Sequence, residues 1–441
     1  MLKNNCLNHI PLSARDVDIL LSPKAFCDKI FELIKQAKNR IYLSALYIEN
    51  DTTGQRLFDA LYEAKAANPD LDIVLLVDFH RAQRGRIGEA KTENNATFYC
   101  RRNELSQHNI EVYGLPVKVR EFFGVMHLKG FVFDDDVLYS GASINDIYFH
   151  TRNRYRYDRY ILIHNRELAN SLTEIVCWMK TNSKVMTPLN RQPIPNTKSI
   201  KRQIRYFSSK LKRLQYNITP YIQDSSLHIT PVLGFGRRGN RLNKAIIEMI
   251  RKAQNSIILY TPYFNLPSAL KKALIKAMKR NVKVTLITGD KTSSDFYIHN
   301  TAEFNVVGTL PYIYETLLRG FLIRYQSYIE KNLLSLRIWK HNDNSFHVKG
   351  ISVDNTTYLL TGNNLNPRAW GLDLENALLI YDKNGLLQND FKKEHNCLIE
   401  NTYELCRKEQ LDDPELYPGQ VKKILGRLKR VYADKVLKRF I

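Results

Sequence analysis

Two copies of one short motif carry the residues that could do chemistry. The pattern HxKxxxxD occurs at residues 127–134 and again at residues 347–354, each time inside an apolar run. Apolar runs of this length indicate strands, and alternation along a strand places the His and Lys of each copy on the same face. The Asp stands at an odd offset from the His, on the opposite face. We therefore predict four catalytic residues, His127, Lys129, His347 and Lys349, and two structural ones, Asp134 and Asp354.

Two histidines and two lysines suit a two-step displacement at phosphorus. One imidazole can attack and form a phosphohistidine, while the other donates a proton to the leaving group and later takes one from the acceptor. The lysines supply fixed positive charge to the phosphoryl oxygens, a role that many phosphoryl-transfer enzymes give to a metal ion. We therefore expect neither a metal nor another cofactor.

An imidazole nucleophile needs a partner on its second ring nitrogen, which sets the tautomer. Downstream of each motif a carboxylate precedes an apolar strand, Asp158 in the first half and Glu375 in the second. Because the two match across the repeat, we predict that Asp158 partners His127 and Glu375 partners His347. The alternative is that either carboxylate only caps its strand.

Between each motif and its carboxylate lies a turn of small residues, Gly-Ala-Ser-Ile-Asn at 141–145 and Gly-Asn-Asn-Leu-Asn at 362–366. Their matched positions predict that Ser143, Asn145 and Asn364 bind phosphoryl oxygens. Such residues are also ordinary turn formers, which is the alternative interpretation.

A loop rich in arginine follows the second strand of the first half, with Arg81, Arg84 and Arg86. Ligands of open α/β sheets gather beyond the carboxyl ends of strands, so these side chains could hold a second phosphate. A solvated surface loop is the other interpretation.

The chain contains an internal duplication. At a constant offset of 216, Ala37 matches Ala253 and Tyr47 matches Tyr263, and the motif strands follow at an offset of 220. Apolar strands alternate with amphipathic helices, which predicts an α/β fold of two similar sandwich halves related by a pseudo-twofold axis, with the active site between them. We place the halves at residues 1–183 and 241–441, joined by a linker at 184–240.

Two segments predict basic amphipathic helices. The first lies in the linker, where apolar residues recur at helical spacing among lysines and arginines: Ile200, Ile204, Phe207, Leu211 and Leu214. The last 21 residues repeat the pattern. Either helix could dock on the protein core and expose a solvated face, or bind a membrane surface.

Charge and composition bound the partners. The 441 residues include 66 Lys and Arg against 44 Asp and Glu, a net charge of +22, which favours an anionic partner: nucleic acid, acidic lipid or a phosphorylated substrate. The six cysteines lack metal-site spacing, and we find no apolar segment of signal-peptide or membrane-span length. We therefore expect a cytoplasmic protein that meets a membrane only at its surface.

The paired motifs, the small-residue turns and the downstream carboxylates resemble the phospholipase D superfamily. Within it, the stretches His-Arg-Ala-Gln-Arg-Gly-Arg-Ile-Gly at 80–88 and Leu-Thr-Gly-Asn-Asn-Leu-Asn-Pro-Arg-Ala-Trp at 360–370 are similar to the phosphatidylserine synthases of Gram-negative bacteria. This resemblance implies transfer of a phosphatidyl group from CDP-diacylglycerol to L-serine. It also implies His127 as the nucleophile, His347 as the acid and base, and a peripheral position on the inner face of the cytoplasmic membrane.

Three other functions compete with this one. A nuclease or nucleic-acid phosphodiesterase of the same superfamily would also suit the charge, as would a cardiolipin synthase-like transferase, and a membrane-surface scaffold would need no chemistry. The intact His and Lys of both motifs argue against the scaffold. The basic helices favour an anionic phospholipid surface over nucleic acid; association with a polyanion such as RNA or the ribosome is left open, and no specific DNA partner is expected.

Overall fold

The computed structural model describes residues 8–85, 93–219, 225–298 and 306–430, which form two large mixed β-sheets with helices packed on them. The strands are β1 Ile10–Pro11, β2 Val17–Leu20, β3 Arg40–Ser44, β4 Asp72–Asp78, β5 Glu111–Leu115, β6 Met126–His127, β7 Gly130–Phe133, β8 Asp136–Ser140, β9 Arg156–Tyr157, β10 Tyr160–His164, β11 Thr187–Pro188, β12 Leu227–Phe235, β13 Ser256–Thr261, β14 Lys283–Gly289, β15 Leu334–Trp339, β16 Ser345–Phe346, β17 Gly350–Val353, β18 Thr357–Thr361, β19 Leu374–Asp382 and β20 Thr402–Glu404. The α-helices are α1 Pro23–Gln36, α2 Thr52–Ala67, α3 Phe79–Ala82, α4 Asn95–Glu104, α5 Arg166–Asn182, α6 Lys201–Leu211, α7 Arg241–Lys252, α8 Ser268–Met278, α9 Leu310–Glu330, α10 Pro367–Gly371, α11 Gln388–Ile399 and α12 Gly419–Arg430.

The two sheets repeat one topology. The first contains the order β11-β5-β4-β3-β7-β8-β10-β2, and the second contains the equivalent order β20-β15-β14-β13-β17-β18-β19-β12. In each sheet the strand after the first helix pairs in parallel with the next strand and antiparallel with the motif strand. The predicted α/β fold of two similar halves is confirmed.

The helix that opens each half begins in the same way. The Ser22 side chain accepts a hydrogen bond from a backbone N–H at the start of α1, and Asn240 does so at the start of α7. Apolar residues at helical spacing, such as Phe26 and Ile30 in α1, are buried against the following strand. Local sequence therefore sets both the start and the buried face of these helices.

The three largest hydrophobic cores among the described residues hold the layers together. One lies between the first sheet and α1, α2 and α4, and another between the second sheet and α7, α8 and α9. A third is shared by both halves and joins Met126 to Leu374 and to Phe207 of α6. The halves are therefore packed against each other through an apolar core. No helix in the described ranges is both long and apolar enough to cross a bilayer.

The stretch 184–240 contributes to both halves. Its first strand, β11, pairs with β5 of the first sheet, and its last strand, β12, pairs with β19 of the second. Between them, α6 buries Ile204, Phe207 and Leu211 in the shared core. The apolar face of this basic helix therefore packs against the protein. Of the two interpretations given for this helix, docking on the core is the one that the structure shows.

The second basic segment is described only in part. In α12, Val421 is buried and Leu425 packs against an aromatic cluster around Tyr312 and Tyr417. Residues 431–441 lie outside the described part of the chain. The described turns of this helix thus also dock on the protein.

Two short strand pairs link the halves at the motifs. Strand β6 pairs in parallel with β19 of the other half, which sets His127 beside Glu375. Strand β9 pairs in parallel with β16, and the His347 backbone N–H donates to the carbonyl of Tyr157 at 2.8 Å. These exchanges decide which side chains meet in the site.

Candidate active site

The first motif histidine is held by a carboxylate of the second half. Nδ1 of His127 lies 3.0 and 2.9 Å from the two carboxylate oxygens of Glu375, and both residues are buried. With Nδ1 engaged in this way, Nε2 is the ring nitrogen left to react. His127 thus has the arrangement that a nitrogen nucleophile requires.

The second motif histidine lies in a denser cluster. Nδ1 of His347 lies 2.9 Å from Oδ2 of Asp158 and 2.8 Å from the hydroxyl of Tyr148. The ammonium of Lys349 donates to the same Asp158 oxygen at 2.7 Å and also contacts His347 Nδ1. A buried carboxylate, ammonium and hydroxyl therefore surround one imidazole.

The pairing predicted from sequence was wrong. Asp158 partners His347 and Glu375 partners His127, so each half supplies the carboxylate for the histidine of the other. The physical reason is the strand exchange, because β6 and β16 leave their own sheets and lie beside the carboxylate segments of the opposite half. Neither carboxylate is only a strand cap.

The two lysines have different partners. Lys129 donates from Nζ to the backbone carbonyl of Ala142 at 3.0 Å, and its own backbone is held by Asn376 through two hydrogen bonds of 2.8 Å. Lys349 instead pairs with the ionised carboxylate of Asp158. The site is thus symmetric in its backbone and asymmetric in its charges.

A glycine opens each small-residue turn so that the lysine of the other motif can approach. A Cβ on Gly362 would lie 2.6 Å from Cγ of Lys129, and one on Gly141 would lie 2.7 Å from Nζ of Lys349. Both distances are below contact, so any side chain here displaces a lysine. The requirement for glycine therefore comes from packing at the active site.

Burial and neighbouring cations keep both imidazoles neutral. Burial, then the charges of Lys129 and Lys349, hold the pKa of His127 well below its ordinary value. Burial and Lys349 lower the pKa of His347 to about 4, although Asp158 opposes them. A neutral imidazole is the nucleophilic form, so both rings are ready to act near neutral pH.

The pKa values of Glu375 and Asp158 shift in opposite directions, and the pKa of Lys129 is lowered. Burial, with the nearby Asp373, raises the pKa of Glu375 well above its ordinary value. Burial also opposes ionisation of Asp158, but Lys349 and His347 outweigh it and its pKa is lowered. Burial and the charge of Lys349 lower the pKa of Lys129 to about 7. Asp158 is thus the carboxylate suited to stabilise an imidazolium.

The turn residues are divided between structure and site. The Asn145 side chain accepts from the Tyr148 N–H at 3.0 Å and donates to the Tyr47 hydroxyl at 3.1 Å, so both its ends are used. Ser143, which lies two positions before Asn145, is also buried. The side-chain oxygen of Asn364 is buried and makes no hydrogen bond among the described residues.

The three arginines predicted as phosphate ligands differ. Arg84 forms two hydrogen bonds of 2.7 Å to the carboxylate of Glu121. Arg81 is buried, lies 4.1 Å from the ring centroid of Tyr47, and its Nη1 has no hydrogen-bond partner in the described ranges. Arg86 lies outside the described residues. Among the described arginines of this loop, Arg81 is therefore the one with a buried guanidinium nitrogen that makes no hydrogen bond.

The motif aspartates lie away from the imidazoles. Asp134 accepts backbone hydrogen bonds from Lys38, Asn39 and Arg40, at 2.7 to 3.0 Å. Asp354 accepts the equivalent bonds from residues 254–256. Each therefore ties the motif hairpin to the turn between the first helix of its half and the strand that follows that helix.

Several residues near the histidines were missed from sequence. Tyr148 contacts His347, Asn376 holds Lys129, and the charge of Arg368 lowers the pKa of His127. Asn376 could have been found as the neighbour of Glu375, but no spacing pointed to Tyr148 or Arg368. Within the described ranges, no group of three or more His, Cys, Asp or Glu side chains is placed to hold a metal ion.

Comparison with known proteins gives one family along the whole chain. A family model described as "Cardiolipin synthase, PLD-like domain" matches residues 30–179 and 246–396. CDP-diacylglycerol–serine O-phosphatidyltransferase PssA of Escherichia coli (strain K12) is 42% identical over 439 residues, covering 99% of this chain and 96% of that protein. The enzyme of the same name from Haemophilus influenzae is 40% identical over 440 residues, covering 98% and 97%. A crystal structure of phosphatidylserine synthase from Haemophilus influenzae matches with a TM-score of 0.95 and 39% identity, covering 99% of this chain and 98% of that chain.

Proposed function

The chain belongs to the family of phospholipase D-like CDP-diacylglycerol–serine O-phosphatidyltransferases, and from this premise we propose that it transfers the phosphatidyl group of CDP-diacylglycerol to L-serine, giving phosphatidylserine and CMP. The observation that supports the chemistry is the pair of buried histidines, each held at Nδ1 by a carboxylate from the opposite half. A two-step displacement needs two such imidazoles within one site.

In the first step Nε2 of His127 attacks the phosphorus of the phosphatidyl group. The N–P bond forms as the P–O bond to CMP breaks, and CMP leaves as a phosphate monoester. The second pKa of such a monoester is about 6, so the leaving group needs little protonation. Lys129 and Lys349 offset the negative charge that gathers on the phosphoryl oxygens.

In the second step the serine hydroxyl attacks the same phosphorus. Its proton passes to His347, the N–P bond to His127 breaks, and phosphatidylserine is released. The ionised carboxylate of Asp158 lies 2.9 Å from His347 Nδ1 and stabilises the imidazolium that forms. This arrangement favours His347 as the base.

A single-turnover experiment tests the proposed function. The full-length protein is mixed with CDP-diacylglycerol in detergent micelles, without serine and then with it, and CMP and the protein adduct are followed by rapid quench and mass spectrometry. We expect up to one equivalent of CMP and a phosphatidyl adduct on the peptide that holds His127, discharged when serine is added. If neither CMP nor the adduct formed, the proposed function would be excluded. Turnover of nucleic acid would then indicate a nucleic-acid phosphodiesterase instead.

A diacyl substrate requires contact with the bilayer surface, and we propose that the turn before the first motif makes it at the cytoplasmic face. Phe122 and Phe123 are 54% and 48% exposed, with ring centroids 5.4 Å apart. The turn is fixed by Arg368, which donates to the carbonyls of Glu121 and Phe122. Exposed aromatic rings beside arginines are typical of surfaces that bind anionic lipid. Association with polyanions such as RNA stays a prediction from net charge.

Replacing both exposed phenylalanines by serine should weaken vesicle binding. Each half-exposed ring stabilises the bound state by about 1 to 1.5 kcal/mol when inserted, so we expect about 30- to 150-fold weaker binding in the Phe122→Ser, Phe123→Ser variant. Sedimentation with anionic vesicles measures this effect. Leu105→Ser, at an exposed leucine just after α4, is the control that should bind normally. Unchanged binding of the double variant would place the membrane contact elsewhere.

The low pKa of Lys129 predicts an alkaline loss of activity. As pH rises through about 7, Lys129 in the free enzyme loses its proton and with it the charge that attracts the phosphates. We expect kcat/KM for CDP-diacylglycerol to fall about tenfold per pH unit above this value. In kcat the fall should begin at higher pH, because the bound anionic substrate stabilises the ammonium. A kcat/KM flat to about pH 9 would contradict the assignment.

A further inference from the structure

The pseudo-twofold axis relates two tyrosines that contact different charged groups. Tyr47 and Tyr263 match at the offset of 216 and follow equivalent strands, β3 and β13. The guanidinium of Arg81, from the segment after β4, lies over the ring of Tyr47. The hydroxyl of Tyr263 instead donates to Asp295, from the segment after β14. Arg81 also lies 3.8 Å from the carboxylate of Glu49, so each corner holds an arginine and a carboxylate. The two corners differ in what the tyrosine meets, a guanidinium at Tyr47 and a carboxylate at Tyr263.

The corner that holds Asp295 lies beside His347. The rings of Tyr263 and Tyr148 meet the His347 ring edge-on, with centroids 6.1 and 5.4 Å away. Arg156 lies 4.9 Å from the centroid of Tyr148 and places Nη2 3.5 Å from Oδ2 of Asp295. Two aromatic rings and an ion pair therefore surround the imidazole that we propose as the base.

The ion pair of this corner leaves part of its hydrogen-bonding capacity unused. Burial opposes ionisation of Asp295, but the charge of Arg156 and the hydrogen bond from Tyr263 help to outweigh it and lower its pKa, so the carboxylate is ionised. At 3.5 Å the ion pair is longer than a strong charge-assisted hydrogen bond, and Nε of Arg156 is buried with no hydrogen bond in the described part of the chain. The side chains keep 12% and 18% of their surface exposed. A small zwitterion can therefore satisfy both.

The acceptor of the proposed reaction is such a zwitterion. An α-amino acid carries an ammonium that a carboxylate binds and a carboxylate that a guanidinium binds in two places. In a serine bound with its ammonium at Asp295 and its carboxylate at Arg156, the hydroxyl is carried on a short side chain and stays close to both charged groups. The base that must take the hydroxyl proton, His347, is the adjacent group.

We propose that Asp295 and Arg156 form the binding site for the ammonium and carboxylate of L-serine, with Tyr263 as the positioning residue that orients Asp295. This proposal rests on the proposed function and adds the residues that select the acceptor.

Asp295→Asn in the full-length protein tests the assignment, because the change keeps the shape and removes the charge. CMP release in the absence of serine should match the wild type in rate and amplitude. The serine concentration that half-saturates discharge of the adduct should rise about 10- to 100-fold, the effect of losing a charge-assisted hydrogen bond.

Two serine analogues separate recognition from general damage. Ethanolamine keeps the ammonium and lacks the carboxylate, whereas 3-hydroxypropionate keeps the carboxylate and lacks the ammonium. Asp295→Asn should weaken discharge by serine and ethanolamine and leave discharge by 3-hydroxypropionate unchanged or faster. Arg156→Gln should show the opposite preference; if it unfolds, Asp295→Asn with the two analogues is the deciding measurement.

The matched control is Glu315→Gln. Glu315 accepts from Lys291 Nζ at 2.9 Å and from the Tyr417 hydroxyl at 2.7 Å, so it is also a carboxylate held by one cation and one tyrosine, in the same half. It should leave serine saturation unchanged. The proposal is overturned if Asp295→Asn leaves serine saturation unchanged, slows CMP release as much as discharge, or weakens 3-hydroxypropionate as much as serine. Absence of CMP release from the wild type would instead remove the proposed function itself.

Discussion

His127→Ala should abolish both CMP release and the covalent adduct, whereas His347→Ala should keep CMP release and lose the serine step. Loss of a nucleophile removes the whole two-step route, a reduction of about 10⁴-fold or more. Loss of a base slows the attack of a hydroxyl, which has no other way to lose its proton, by about 10²- to 10⁴-fold. CMP departs with little protonation, so the first step tolerates the change at His347.

Rapid-quench measurement of CMP and mass spectrometry of the His127 peptide separate these two steps. The control is His395→Ala, because Nδ1 of His395 also contacts a tyrosine hydroxyl, that of Tyr260 at 2.9 Å. This variant should carry out both steps at the wild-type rate. An adduct on His347, or equal loss of both steps in His347→Ala, would reverse or remove the division of roles.

Exchanging the carboxylates for amides should impair the steps in a crossed pattern. Glu375→Gln removes the partner of His127 and should slow CMP release, while Asp158→Asn removes the partner of His347 and should slow discharge by serine. An amide can donate to Nδ1 and hold the wrong tautomer, so we expect effects of about 10²- to 10⁴-fold. Asp158→Asn also releases Lys349 from its ion pair.

The same rapid-quench assay decides between crossed and uncrossed pairing. Uncrossed pairing, as the order of residues along the chain suggests, would give the reverse result: Asp158→Asn slowing CMP release and Glu375→Gln slowing discharge. The motif aspartates serve as controls, since Asp134→Asn and Asp354→Asn weaken backbone hydrogen bonds away from the imidazoles. These variants should lower the free energy of unfolding by about 1 to 2 kcal/mol and keep both steps.

The sequence by itself determined the repeat and its chemistry. Apolar periodicity and the offset of 216 predicted two equivalent α/β halves, because strands and helices bury their apolar faces wherever such a pattern occurs. Two HxKxxxxD motifs predicted histidine chemistry at phosphorus, since motif residues close in sequence stay close in space. The small-residue turns were recognised for the same reason, although only the packing of Lys129 and Lys349 explains their glycines.

Only the tertiary structure decided which residues meet across the halves. The carboxylates are crossed because β6 pairs with β19 and β9 pairs with β16, and two-residue strand pairs leave no periodic signal in the sequence. Asp295 and Arg156 are 139 positions apart along the chain, the difference between their residue numbers, and they meet only when the halves dock on the shared core. Local patterns thus specify each half, and the packing of one half on the other specifies the site.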